Sequence, residues 1–136
     1  MNETERQRVL ERARGCCEYC QSQMRYATQR FSIEHILPKA KGGSDDLENL
    51  ALSCQGCNNH KFIRTEAFDV LSGLVVPLFD PRNHVWLEHF AWSEDFTQAI
   101  GLTPIGRASV EALQLNRDGV VNLRWALHAL GQHPAA

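Results

Sequence analysis

The sequence has no apolar run approaching the roughly 18 residues a bilayer-spanning helix needs, so no membrane partner is expected. The stretch from Met1 to Arg14 is charged where a secretory leader would be apolar, and a cytoplasmic location is the expectation. A basic excess is also missing. The chain has 14 Lys+Arg against 16 Asp+Glu, a formal net charge of -2 and a pI near 6.3. That balance does not advertise a nucleic-acid binder as a strongly basic domain does. Internal repeats and low-complexity tracts are lacking, and 136 residues with 43% hydrophobic content fit one domain around one modest core.

Cysteine is where the sequence becomes specific. There are five, an odd number in a chain without a secretory leader, which fits a disulfide framework poorly and metal ligation well. Four form Cys17-x-x-Cys20 and Cys54-x-x-Cys57. One CxxC turn presents two thiolates, and two turns complete a closed tetrahedral shell with no vacancy for substrate, so zinc held there is structural. Closing the 33-residue stretch between Cys20 and Cys54 around one ion couples metal binding to folding. Cys16 is left over and reads as a small residue beside the knuckle. The competing reading is a thiol redox or metal-sensing protein with exchanging cysteines.

The charge is unevenly placed. Residues 1–64 hold ten Lys/Arg against eight Asp/Glu, and residues 65–136 hold four against eight. A polyanion is expected to meet the N-terminal half, through Arg12, Arg14, Arg25, Arg30, Lys39, Lys41, Lys61 and Arg64.

Local patterns set out the elements. Asn2 followed by Glu5 is a capping-box signature for a helix running to Arg14 and stopped by Gly15. Phe31 to Ile36 reads as a short strand closed by Pro38, and Leu50 to Leu52 as a second. Lys41 to Asp46 is a loop, and a short helix is expected from Asn58 to about Phe68. Later, His84 to Trp92 reads as a strand with Phe96 to Leu102 as its hairpin partner. Thr103-Pro104 opens a helix to about Leu115, and Asn116 to Leu130 forms another. Trp86, Phe90 and Trp92 are assigned to the core in preference to base stacking, and His84, His89, His128 and His133 receive no role.

The cysteines enclose Ile33-Glu34-His35-Ile36-Leu37-Pro38, then Gly42-Gly43, then Asn49-Leu50. An imidazole near neutral pH takes a proton from water, which suits His35 as general base. Glu34 is a hard oxygen donor of the type Mg²⁺ accepts. A satisfied surface Glu-His pair is the blander alternative.

These residues, with Cys54-x-x-Cys57-Asn58 and Lys61, resemble the zinc-containing HNH endonucleases of the ββα-metal superfamily over about residues 12–65. The stretch from Leu78 to Ala108 is similar to a C-terminal extension in one bacterial branch of that family. The resemblance implies an α+β fold. Its ββα-metal core, stapled by the four-cysteine zinc site, spans residues 1–72, and a hairpin and two helices over 73–136 pack on the same domain. It implies hydrolysis of DNA phosphodiesters, by nicking or cutting, with His35 as the base and Asn49 orienting that base or shaping the loop. A catalytic Mg²⁺ or Mn²⁺ is implied at Glu34 and Asn58, with His60 as second choice because it lies about 200° around the helix from Asn58. Lys39, Lys41, Lys61 and Arg64 are expected to hold the DNA backbone. Glu34 stands where the family usually has aspartate, and Asn58 where it often has histidine. The alternative function is a catalytically weak, zinc-ribbon-like nucleic-acid-binding module.

Overall fold

The structure, a computed structural model, describes residues 2–136. Helix α1 (Glu3–Arg12) begins as the capping signature predicts: Asn2 Oδ1 accepts from the Glu5 N–H at 2.8 Å. Glu3 and Glu5 in the first turn and Arg12 in the last match the helix dipole. Val9 is its fully buried contact with the core.

Strands β1 (Ser32–His35) and β2 (Leu50–Ser53) pair antiparallel, with Glu34 opposite Ala51 and His35 opposite Leu50. Every residue of β2 is buried. Helix α2 (Gln55–Lys61) follows and completes the ββα unit. It starts three residues before the expected Asn58 because Cys54 acts as N-cap, its Sγ accepting from the Cys57 N–H at 3.4 Å. A metal-knuckle cysteine is not among the usual capping residues, so the early start carried no familiar signal. The helix ends at Phe62, whose φ of 49° breaks the helical path. Residues expected to continue it instead form β3 (Glu66–Asp69), paired with β4 (Leu74–Pro77). This hairpin straddles residues 72 and 73, and Asp69 ties its turn by accepting from the Gly73 N–H at 2.9 Å.

The expected strand over His84–Trp92 is extended only at its end. Trp86–His89 forms one helical turn, α3, before β5 (Phe90–Trp92) pairs with β6 (Ala99–Gly101). The turn places the Trp86 ring 4.8 Å from Phe90 and 4.9 Å from Trp92, and sends the indole N–H to the Tyr19 carbonyl at 2.9 Å. Helix α4 (Pro104–Ala112) opens on Thr103, whose Oγ1 accepts from the Gly106 N–H at 3.0 Å, with proline at the first helical position. Helix α5 (Asp118–Ala129) closes the fold.

One continuous apolar cluster joins both parts of the chain, from Val9, Tyr19 and Leu52 to Phe79, Phe90, Leu113 and Val120. The architecture is α+β, three two-stranded antiparallel sheets among five α-helices in the described residues. No helix among those residues is long and apolar enough to cross a membrane.

Candidate functional site

The two knuckles converge. Cys17, Cys20, Cys54 and Cys57 are all buried, with their sulfurs within 4.8 Å of one another. A tetrahedral zinc with Zn–S bonds of about 2.3 Å sets its sulfurs about 3.8 Å apart, and Cys20 and Cys54 Sγ stand 3.6 Å apart. The donor set therefore fits zinc in a closed, structural site. Ser22 Oγ lies 3.2 Å from Cys20 Sγ. The Arg117 guanidinium donates to Cys54 Sγ at 3.1 Å and to Cys57 Sγ at 3.5 Å.

His35 ends β1 at the rim of this unit, half-exposed. Its Nε2 is 2.8 Å from Asp45 Oδ1, and Lys39 Nζ is 3.0 Å from the other oxygen of that carboxylate. His35 and Lys39 hold the Asp45 carboxyl below the ordinary aspartate value. Asp45 belongs to the glycine-rich loop and was not singled out as a site residue. The paired acids Asp45-Asp46, three to four residues before Asn49, were the available signal.

Asn49 works on the loop. Its Oδ1 accepts from the Leu37 N–H at 2.8 Å, and its Nδ2 donates to the Leu37 and Ser44 carbonyls at 3.0 and 2.8 Å. Leu37 and Ser44, which flank the stretch Pro38 to Gly43, are thus fixed to one side chain. Gly43 lies so close that an added Cβ would meet the Leu37 carbonyl oxygen at 1.7 Å and Asn49 Nδ2 at 2.9 Å, so the clamp closes only over a glycine.

Glu34 and Lys61 stand differently from their expected roles. Glu34 is 5% exposed and Lys61 1% exposed. Lys61 Nζ lies 2.5 Å from Glu34 Oε1, and the Tyr19 hydroxyl donates to Oε2 at 2.6 Å. Lys61 also donates to the Ile36 carbonyl at 2.9 Å. Successive strand residues point to opposite faces, so Glu34 enters the core while His35 faces out. The Lys61 ammonium thus stands against one carboxylate oxygen and the Tyr19 phenol against the other, inside the core. Burial pushes the Glu34 pKa up, with Lys61, Tyr19 and His35 pulling the other way. Lys61, enclosed and paired, is not presented to a phosphate backbone. Tyr19, inside the first knuckle, is the residue of this lock that sequence reasoning passed over.

Asn58 is half-buried, one turn before Lys61 on α2 and so on the same side of that helix, which meets the His35 end of β1. His60 is exposed. Lys39 and Lys41 are exposed beside the His35 loop, and Arg64 is exposed with Nη1 3.5 Å from the Ala112 carbonyl. Arg12, exposed at the end of α1, spends its guanidinium on the Leu47 and Leu50 carbonyls at 2.9 and 2.6 Å. A groove of 610 Å³ runs beside His35, lined by Arg6, Arg30, Phe31, Ser32 and Gln55 among others. Arg6, half-buried on α1 with its guanidinium donating to the Phe31 carbonyl at 2.9 Å, is a cation at this edge that the sequence pattern does not mark.

A comparison with curated proteins and a comparison with solved structures each returned no match. The family model described as HNH endonuclease matches residues 17–62, from the first knuckle to the end of α2. The matched segment contains all four clustered cysteines, His35, Asp45 and Asn49, and the match points to nuclease-type chemistry on nucleic acid. Residues 17–62 are an HNH endonuclease domain.

Proposed function

We propose that this domain hydrolyses DNA phosphodiester bonds, nicking or cutting, with His35 as general base. The observation that carries the reading is the contact of His35 Nε2 with Asp45 at 2.8 Å, beside a groove bearing Arg6 and Arg30. With Nε2–H donated to the carboxylate, Nδ1 is the nitrogen that takes a proton from water as the water oxygen attacks phosphorus. The phosphorus–oxygen bond to the leaving sugar breaks, and its electron pair stays on the leaving oxygen. Asp45 stabilises the imidazolium that forms, and Asn49 keeps the loop that carries Asp45 in place.

A divalent cation such as Mg²⁺ or Mn²⁺ would supply positive charge to the phosphate and the leaving oxygen. Asn58, on the side of α2 that meets β1, would offer it an oxygen, and none of the steps assigned to His35 and Asp45 runs through Glu34. Lys39, Lys41, Arg64, Arg6 and Arg30 are the proposed backbone contacts.

A second reading is favoured by one observation: the Glu34 carboxylate is buried and paired with Lys61. In that reading the domain binds nucleic acid without cutting it. Supercoiled plasmid incubated with purified protein and Mg²⁺ or Mn²⁺, beside His35→Ala, separates the two. The nuclease reading expects open-circle or linear product from wild type, formed on the order of 10²–10⁴-fold more slowly by the variant. Intact plasmid with both proteins, together with an undiminished gel shift, establishes the binding module instead.

A further inference from the structure

Arg117 and Arg124 both come from the C-terminal region, at and within α5. Arg117 is the residue before that helix, and its two terminal nitrogens donate to Cys54 and Cys57 Sγ at 3.1 and 3.5 Å. The second knuckle is shaped to receive it. A Cβ on Gly56 would lie 2.5 Å from Arg117 Nη2 and 2.6 Å from its central carbon, so the guanidinium lies directly over the turn between the two cysteines.

Arg124 is 2% exposed. It donates to the Cys20 carbonyl at 3.0 Å, to Thr97 O at 2.9 Å and to Asn116 Oδ1 at 3.0 Å, and its guanidinium carbon sits 5.0 Å from the Trp92 ring centre. The ion pairs of the described residues use Lys39, Lys61, Arg82, Arg107 and His35 on the cationic side, and neither Arg117 nor Arg124 is among them. A buried guanidinium without a counter-charge is costly. The anionic centre beside both arginines is the cysteine cluster, which with four thiolates and one zinc carries two net negative charges.

We propose that Arg117 and Arg124 are the outer shell of the four-cysteine zinc site, so that α5 of the C-terminal region is a working part of the metal centre that residues 17–62 alone do not complete. Arg117 holds the second-knuckle thiolates by two N–H donors, and Arg124 holds the backbone of Cys20 while neutralising the remaining charge. The inference is independent of whether the domain cuts DNA.

The test is equilibrium competition for zinc between the full-length protein and a chromogenic chelator, 4-(2-pyridylazo)resorcinol, with tryptophan fluorescence confirming the fold. Outer-shell partners typically change metal affinity on the order of 10–100-fold. Arg117→Met is expected to lower zinc affinity at least tenfold by that measure, with Arg117→Lys, which keeps the charge and loses the fork, in between. Arg107→Met is the control, because it breaks the Asp69–Arg107 pair, in which no cluster cysteine takes part. Zinc affinity of Arg117→Met within about twofold of wild type overturns the proposal. So does an equal loss in Arg107→Met, which marks a global stability effect. Should Arg117→Met fail to fold, Arg117→Lys decides alone: affinity equal to wild type overturns the proposal, and a clear loss supports it.

Discussion

The cysteine cluster and the His35 edge belong to one ββα unit and are built on opposite principles. The cluster is sealed: all four thiols are buried and closely spaced, and two arginines crowd its outer side. The edge is open: a half-exposed imidazole, an exposed carboxylate, and a loop held by one asparagine. Glu34 and His35 mark the border within two consecutive residues, because strand alternation sends one into the core and the other to the rim. The difference teaches that polar chemistry-bearing residues next to each other in sequence can belong to different jobs. Glu34 bolts α2 to β1 through Lys61, and His35 is left at the rim against Asp45.

Breaking the sealed side should have the largest effect. Zinc bound by four thiolates contributes on the order of 10 kcal/mol to folding, so Cys20→Ser or chelation is expected to abolish the cooperative thermal transition followed by circular dichroism. A surviving sharp transition at unchanged temperature would put the stability elsewhere.

Breaking the bolt comes next. Lys61→Met strands Glu34 in the core, and removing one partner of a buried pair costs about 3–5 kcal/mol. In urea titrations Glu34→Gln combined with Lys61→Met should recover part of that loss. A Lys61→Met protein as stable as wild type would show that the lysine is not committed to the core and would return it to the list of DNA contacts.

A smaller effect sharpens the comparison through pH. Arg107 grips Asp69 with bonds of 3.1 and 2.9 Å and, with Ser72, holds its carboxyl well below the ordinary range. A depressed folded-state pKa means that the unfolded chain takes up the proton first as pH falls. The contribution is therefore complete above the unfolded value of about 3.9 and is lost as pH falls below it toward the folded value. Asp69→Asn should flatten the acid limb of the stability curve there. Glu34 has the opposite sign: burial raises its pKa, so its ionisation works against stability as pH rises through the folded value. The smallest effect belongs to the surface. Lys39→Ala breaks an exposed pair with Asp45, and thermal denaturation should register little or no change.

Much of the site was legible because its signals are local. The two CxxC spacings place the cluster, Asn2 and Thr103 place their helix starts, and Gly42-Gly43 with Asn49 mark a loop that closes only on a glycine. What the sequence hid depends on pairing across distance. Lys61 and Glu34 are 27 positions apart, and nothing local says that a lysine after Asn58 turns inward to an acid on β1. Arg117 and Arg124 lie 60 or more positions beyond Cys57, and their helix looked merely amphipathic. The β3–β4 hairpin was missed because Phe62, Ile63 and Phe68 imitate a helical face, while the positive φ at Phe62 that ends α2 has no residue-type signature.

Whether His35 is the base is decided by plasmid cleavage with wild type, His35→Ala and Asp45→Asn at equal zinc content in the presence of Mg²⁺ or Mn²⁺. Product is expected from wild type, and loss in His35→Ala on the order of 10²-fold or more with the fold intact. Asp45→Asn should lie between them. Equal cleavage by wild type and His35→Ala would contradict that role.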